Sequence, residues 1–234
     1  MITIRNLCKA YGKLSVFEDL NAEMRPGEVT AILGHNGCGK TTLIKSLLGL
    51  VRPNRGEMTV NGHHVNSNPD YRSQIGYMPQ IARYPDNLSV AEVVSLIRNI
   101  RSESSYDLTL WQRFMLAGEE AKPVHTLSGG TRQKLSAALA FMFKPNVLIL
   151  DEPTAGLDPL AAGILKEHIA AYRAQGATVL LTSHVMSDIE ELADKLIYLN
   201  EGKIIYSGEL STMIELTGEE RLERAVANLM AGEN

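Results

Sequence analysis

The sequence predicts an α/β fold with an antiparallel β subdomain and a helical insertion, and three observations carry that expectation. Short apolar runs rich in β-branched residues, "VTAIL", "VLIL" and "ATVLLTS", have the length of buried strands and sit next to helix-forming stretches. The opening residues read instead as strands joined by turns. Residues 89 to about 122 lose the strand pattern and become mainly helical. With 234 residues the chain can bury a sizeable core and reads as a single domain over 1–234, with 81–127 as the helical insertion and 211–234 as a C-terminal helical extension. A composition of 44% hydrophobic and 21% charged residues excludes a wholly disordered chain. The longest strongly apolar stretch, "AALAFMF" from Ala137 to Phe143, falls far short of the roughly 18 residues of a membrane span. "MITIRNLCKAYGK" lacks the apolar run of a secretion signal. Two cysteines, Cys8 and Cys38, have no paired spacing and fit a reducing compartment. A formal charge of -4 gives no support to broad nucleic-acid binding.

Taken in order, "ITIRNLCKAY" and "KLSVFEDLNAEM" are strands, "RPGE" is a tight turn, and "VTAIL" is a strand that runs into glycine-rich backbone. Lys40 to Leu50 has helical spacing. "RPNRGEMTVNG" holds a short strand and "SQIGYMPQ" a second, leading to Gln80. Ser89 and Glu92 have capping-box spacing ahead of "VVSLIRNI", and "LTLWQRFMLAG" offers a second helical stripe ending at Gly118. The α/β pattern resumes with the helix "RQKLSAALAFMF", stopped near Pro145, and the strand "VLIL". Asp158 and Pro159 supply an N-cap and first helical position for "LAAGILKEHIAAYRAQ", which Gly176 terminates. "ATVLLTS" is a strand. Ser187 and Glu190 repeat capping-box spacing before "LADKLIYLN", and "GKIIYSGE" reads as a hairpin arm.

The stretch "GHNGCGKTT" satisfies G-x-x-x-x-G-K-[ST] from Gly34 to Thr41, between a strand and a helix, the context that gives the motif meaning. Its glycines let successive N–H groups curl around phosphate oxygens, and the helix adds its positive end. Gly34, Asn36, Gly37, Cys38 and Gly39 are therefore candidate nucleotide contacts. Lys40 neutralises β- and γ-phosphate charge, Thr41 offers a hydroxyl to Mg²⁺, and Thr42 lies by the α-phosphate. In "VLILDEP", Asp151 follows four apolar residues as a Mg²⁺ carboxylate, and Glu152, one residue on, is placed to activate water. "TLSGGTRQKL" puts Ser128, Gly129 and Gly130 before a helix, a second phosphate-seeking helix start. His35, His63, His64 and Cys38 lack the spacing of a zinc site.

The ordered set Tyr11, "GHNGCGKTT", Gln80, "LSGG", "LILDEP", "AGLD" and His184 resembles the nucleotide-binding subunit of ATP-binding-cassette transporters over almost the whole chain. The resemblance implies a P-loop nucleoside triphosphate hydrolase fold of the ATP-binding-cassette type and a Mg²⁺-dependent ATPase, with ATP and Mg²⁺ as cofactors. It also implies that Tyr11 stacks on adenine and that Gln80 links the Mg²⁺ and water environment to the helical insertion. Ser128, Gly129 and Gly130 would meet the γ-phosphate of ATP held by a second copy in a head-to-tail dimer. Asp158 would couple the two sites, although it is also placed as a helix cap. His184 would contact γ-phosphate and the catalytic carboxylate, making Glu152, His184 and Gln80 the catalytic set and Thr41, Gln80 and Asp151 the metal set. Two positions depart from the family pattern. Thr131 stands where many signature sequences have glutamine, and Cys38 replaces a small residue, which raises the question of oxidation sensitivity.

More narrowly, "YGKLSVFEDLN", "GHNGCGKTTLIKSLLGL" and "LTSHVMSDIEELADKLIYLNEGKIIYSGE" resemble the ATPase of the transporter that supports maturation of the copper-sulfur centres of nitrous oxide reductase. That resemblance implies an integral membrane permease, a periplasmic accessory protein reached through it, no nucleic-acid partner, and a peripheral position on the cytoplasmic side of the inner membrane. The alternatives are the ATPase of a different exporter, or a soluble cassette protein of DNA repair or translation. "YPDNLSVAEVVSLI" supplies Tyr84, Leu88, Val90 and Val93 as a candidate anchoring patch for a permease helix, some of which must belong to the domain's own core.

Overall fold

A computed structural model describes residues 1–65, 67–101, 105–219 and 221–231. The expected insertion and C-terminal extension therefore include positions, 102–104 in the first and 220 and 232–234 in the second, that lie outside the described residues. The chain runs β1 (Ile2–Tyr11), β2 (Leu14–Met24), β3 (Val29–Leu33), α1 (Lys40–Leu47), β4 (Arg55–Val60), β5 (His63–His64), β6 (Ile75–Met78), α2 (Val90–Arg101) and α3 (Thr109–Arg113). It continues through α4 (Gly129–Phe141), β7 (Val147–Asp151), α5 (Pro159–Ala174), β8 (Thr178–Thr182), α6 (Met186–Leu192), β9 (Lys195–Asn200), β10 (Lys203–Glu209), α7 (Leu210–Thr217) and α8 (Leu222–Ala231).

Two sheets result. The antiparallel one has the order β2-β1-β4-β5. The other has the order β10-β9-β3-β8-β7-β6, parallel throughout except for the β9–β10 hairpin. The continuous apolar runs of the sequence are explained by burial on both faces. Because side chains alternate along a strand, Val29, Ala31 and Leu33 of β3 face one core while Ile32 faces the other. Leu148 and Leu150 of β7 go with the first, Val147 and Ile149 with the second. The first core is filled by α4, α5 and the insertion; the second lies between the central sheet, α1 and the antiparallel sheet.

Capping explains where several helices start. Ser89 Oγ accepts from Glu92 N at 3.3 Å while the Glu92 carboxylate accepts from Ser89 N at 2.7 Å, the reciprocal box that the spacing predicts. Asp158 Oδ1 accepts from Ala161 N at 2.8 Å with Pro159 in the first turn of α5.

Three expectations need correction. Lys40 to Leu50 is helical only to Leu47, because Gly49 at φ 68 closes α1. The stripe ending at Gly118 is broken: α3 stops at Arg113, Met115 takes φ 56, and a short 3₁₀ turn covers Leu116–Glu119. The box at Ser187 and Glu190 does not form, since Val185 precedes α6 as its cap residue, and "KLIYLN" is strand β9, held between β3 and β10. Of the four candidate anchors, some of which were expected in the domain's own core, Val90 and Val93 are indeed fully enclosed there, while Tyr84 and Leu88 pack partly buried against it.

Candidate functional site

Strands β3, β8, β7 and β6 are parallel neighbours, so their carboxyl ends share one edge, the place where open α/β sheets bind ligands. Each end delivers an expected residue: the loop from Gly34 after β3, His184 after β8, Asp151 and Glu152 at β7, and Gln80, exposed, two residues past β6.

The glycines of the first loop are needed for geometric reasons. Gly34 has φ 153, and a Cβ there would lie 2.2 Å from Leu199 O; Gly39 has φ 113, and its Cβ would lie 2.5 Å from Phe17 Cε1. Phe17 belongs to β2, so the antiparallel sheet presses directly on the start of α1. Gly39 offers no side-chain cap, and the first ladder bond runs from Leu43 N to Gly39 O. The N–H groups of Lys40, Thr41 and Thr42 therefore precede the ladder and are available to an anion. Lys40 Nζ bridges the loop, donating to Gly34 O at 2.5 Å and His35 O at 3.1 Å. Cys38 is buried in the second core, with its sulfur 3.9 Å from Lys40 Nζ. Asn36 and Thr41 are exposed and Thr42 half-buried.

At β7, buried Asp151 accepts a 2.6 Å hydrogen bond from Thr182 Oγ1. Its carboxylate adds to the burial that pushes the Tyr77 phenol up to about 12. Glu152 sits at φ 52, a conformation that costs an ordinary side chain about 1–3 kcal/mol. Its amide is held there by Thr182 O at 3.1 Å and Thr182 Oγ1 at 3.2 Å. The turn aims the side chain at His184, whose Nε2 lies 3.1 Å from Glu152 Oε1. At this distance a proton carried on Nε2 would be donated to the Glu152 carboxylate. Thr182 thus holds the Asp151 carboxylate and the Glu152 backbone, and no spacing rule marks it, because it lies in β8, 31 positions from Asp151.

The remaining candidates lie on other elements or further along these loops. Tyr11 ends β1, half exposed, with Lys9 Nζ 4.6 Å from its ring centroid. Ser128 caps α4, accepting from Thr131 N at 3.1 Å, and Ser128 and Gly129 face solvent. Gly130 faces Gly156, whose carbonyl oxygen a Cβ would meet at 3.1 Å. Asp158, besides capping α5, takes a 2.7 Å bond from Lys134 Nζ. That ammonium, together with the Ala161 amide, holds the Asp158 carboxyl below its ordinary range. Thr131, the departure from the signature pattern, serves the cap itself: its hydroxyl lies 2.8 Å from Ser128 Oγ.

The profile of a family described as ABC transporter matches residues 17–155. The chain is 35% identical over 229 residues to the lantibiotic transport ATP-binding protein SrtF of Streptococcus pyogenes, covering 97% of this chain and 96% of that protein. It is similar to a solved structure described as the ATP-binding subunit of an ABC transporter, with a TM-score of 0.93, 30% identity, and coverage of 98% of this chain and 99% of that one. It also shares the fold of a dimeric bacterial ABC transporter cassette, MJ0796, with a TM-score of 0.80 at 22% identity, over 90% of this chain and 99% of that one.

Proposed function

The chain belongs to the ABC transporter family and is a Mg²⁺-dependent ATPase of that type, and we propose that it drives a membrane transporter by closing head to tail on a second copy of itself. The observation that carries this reading is the meeting of the phosphate loop, the Thr182-held Asp151 and the Glu152–His184 pair at one sheet edge. The N–H groups at the start of α1 and the Lys40 ammonium bind the triphosphate. Thr41, Gln80 and Asp151 are the residues that would hold Mg²⁺, which supplies Lewis-acid polarisation of phosphoryl oxygens. Glu152 accepts a proton from water, and His184 fixes its carboxylate by donating to it. With Lys9 on one face of Tyr11, the other face is left for adenine. The exposed Ser128 helix start serves the partner's nucleotide. The dimeric state named for the MJ0796 cassette supports this arrangement, as does the presence of two separate phosphate-seeking helix starts in one chain.

Among the described residues no helix is long and apolar enough to cross a membrane, so the transporter reading assigns passage of cargo to an integral membrane permease, with this chain peripheral on its cytoplasmic side. Its docking surface is a groove of about 350 Å³ between the C-terminal end of α1 and the insertion, floored by Leu48, Tyr77, Ala82 and Ile97. Leu50 lines it, and Ile81 follows Gln80; they are 67% and 65% exposed. These two take over the anchoring role expected of Val90 and Val93. Leu50→Glu and Ile81→Glu should cut permease association in a detergent pull-down by roughly tenfold or more, with ATP binding unchanged. Full association of both folded variants would place docking elsewhere. A wild type that ignored the permease and bound DNA or ribosomes would remove the transporter reading.

The narrower reading, an ATPase supporting maturation of nitrous oxide reductase with a periplasmic accessory protein beyond the permease, rests on the quoted sequence phrases. SrtF is a lantibiotic transport protein, which favours the broader statement. Deleting the gene and assaying the copper-sulfur centres of the reductase decides between them: intact centres exclude the narrower role.

A further inference from the structure

Glu152 and His184 reach each other from separate loops, and each loop runs on into its own helix, α5 or α6. Thr182 secures only the beginning of the Glu152 loop. Two residues beyond Glu152, Thr154 Oγ1 donates to Asp188 Oδ2 at 2.5 Å. Asp188 lies on α6, four residues beyond His184, and is only 8% exposed. Its other oxygen accepts from Lys166 Nζ of α5 at 3.3 Å, and the same ammonium pairs with Glu191 on α6. Pairing with Glu191 raises the Lys166 pKa against the opposing effect of burial, so the ammonium stays charged beneath the site. One buried carboxylate thus joins the loop that carries Glu152, the helix after that loop, and the helix after His184. A carboxylate in such a place is costly unless its partners are all present, which makes the distance between the two loops sensitive to each of them.

We infer that Asp188, acting through Thr154 and Lys166, is a positioning residue that sets the spacing of Glu152 and His184 from behind the site. Its observed partners are Thr154 and Lys166, and the inference rests on the reading of Glu152 as the catalytic carboxylate. A loose tie between the loops misplaces the proton acceptor without altering the phosphate loop, so the effect belongs in kcat. Displacements of about 1 Å at such sites cost up to roughly 100-fold.

The test uses the purified full chain. Thr154→Val keeps the shape of the side chain and removes its hydroxyl; kcat should fall about tenfold or more with KM for ATP nearly unchanged. Thr154→Ser, which restores the hydroxyl, should restore kcat. Lys166→Met should lower kcat in the same way, and the double variant Thr154→Val/Lys166→Met should fall well short of the product of the single effects, because both act through one carboxylate. Thermal melting of each variant separates lost positioning from lost folding; should Thr154→Val melt below the assay temperature, Thr154→Ala replaces it under the same expectation. Glu152→Gln is run alongside. If Glu152→Gln turns over normally, the catalytic reading fails and this inference falls with it. If Glu152→Gln is inert while the Thr154 variant keeps wild-type kcat, loses affinity for ATP instead, or is not rescued by serine, the positioning role is wrong and the catalytic reading stands.

Discussion

The proposed function gives two residues at one end of the sheet different work, and their surroundings separate the consequences of removing them. Lys40 is held by two loop carbonyls, an arrangement that an anionic phosphate can take over at little geometric cost. Its ammonium contributes on the scale of a charged hydrogen bond, about 1.5–3 kcal/mol, so Lys40→Ala should weaken ATP binding by roughly 10- to 100-fold in equilibrium titrations. Glu152 stands behind Asp151 in the strained turn that points it at His184. Glu152→Gln preserves size and hydrogen bonding but not basicity, so nucleotide should bind normally while single-turnover hydrolysis falls about 10²–10⁴-fold, the ordinary worth of a general base. Unchanged hydrolysis in Glu152→Gln, or unchanged affinity in Lys40→Ala, would remove the corresponding role.

At the scale of elements, what the sequence discloses depends on how local the cause is. Capping by Ser89 and Asp158 was readable because donor and acceptor lie three residues apart, and the phosphate loop was readable because its backbone demands fall on adjacent positions. The break at Met115 and the strand nature of "KLIYLN" were not, since tertiary packing in one case and pairing with β3 and β10 in the other override local preference. Thr182 and the Thr154–Asp188 tie were hidden for the same reason: their partners are about thirty positions away. A further element-level device sits where α5 meets α4. His168 is buried against Phe141 and Tyr172, with ring centroids 4.9 and 5.1 Å away, and its Nε2 is buried without a partner. Burial lowers its pKa; Asp107 opposes that and Arg113 adds to it. In the window between this lowered value and the unfolded value near 6.5, the unfolded chain binds more protons. The contribution of His168 to stability is therefore complete above about pH 6.5 and is lost as pH falls. Melting curves from pH 8 to 5 should show the wild type losing a few degrees more than His168→Phe toward the acid end; parallel curves would mean that His168 does not titrate in this way.

At the scale of the whole molecule, the proposed function gives one chain two half-sites: the α1 start at the sheet edge, and the exposed Ser128 cap of α4, whose serine bonds stay within its own first turn. In the head-to-tail pair proposed above, each α1 start would meet the partner's α4 start, giving two composite sites under closed two-fold symmetry. Mixing chains exposes the wiring. In a heterodimer of Lys40→Ala with Ser128→Arg, contacts made in trans put both lesions in the site that uses the first chain's Lys40 position and the second chain's Ser128 position, leaving the other site intact. Contacts made in cis would give each site one lesion. The lesion at Ser128 is steric, since Ser128→Arg puts a long side chain where an exposed hydroxyl stands beside Gly129, whose Cβ position is open. Nucleotide trapping in isolated mixed dimers should therefore find one competent site per dimer, with wild-type affinity at that site. Two equally weakened sites would show that Ser128 serves its own chain, and the head-to-tail arrangement would have to be given up.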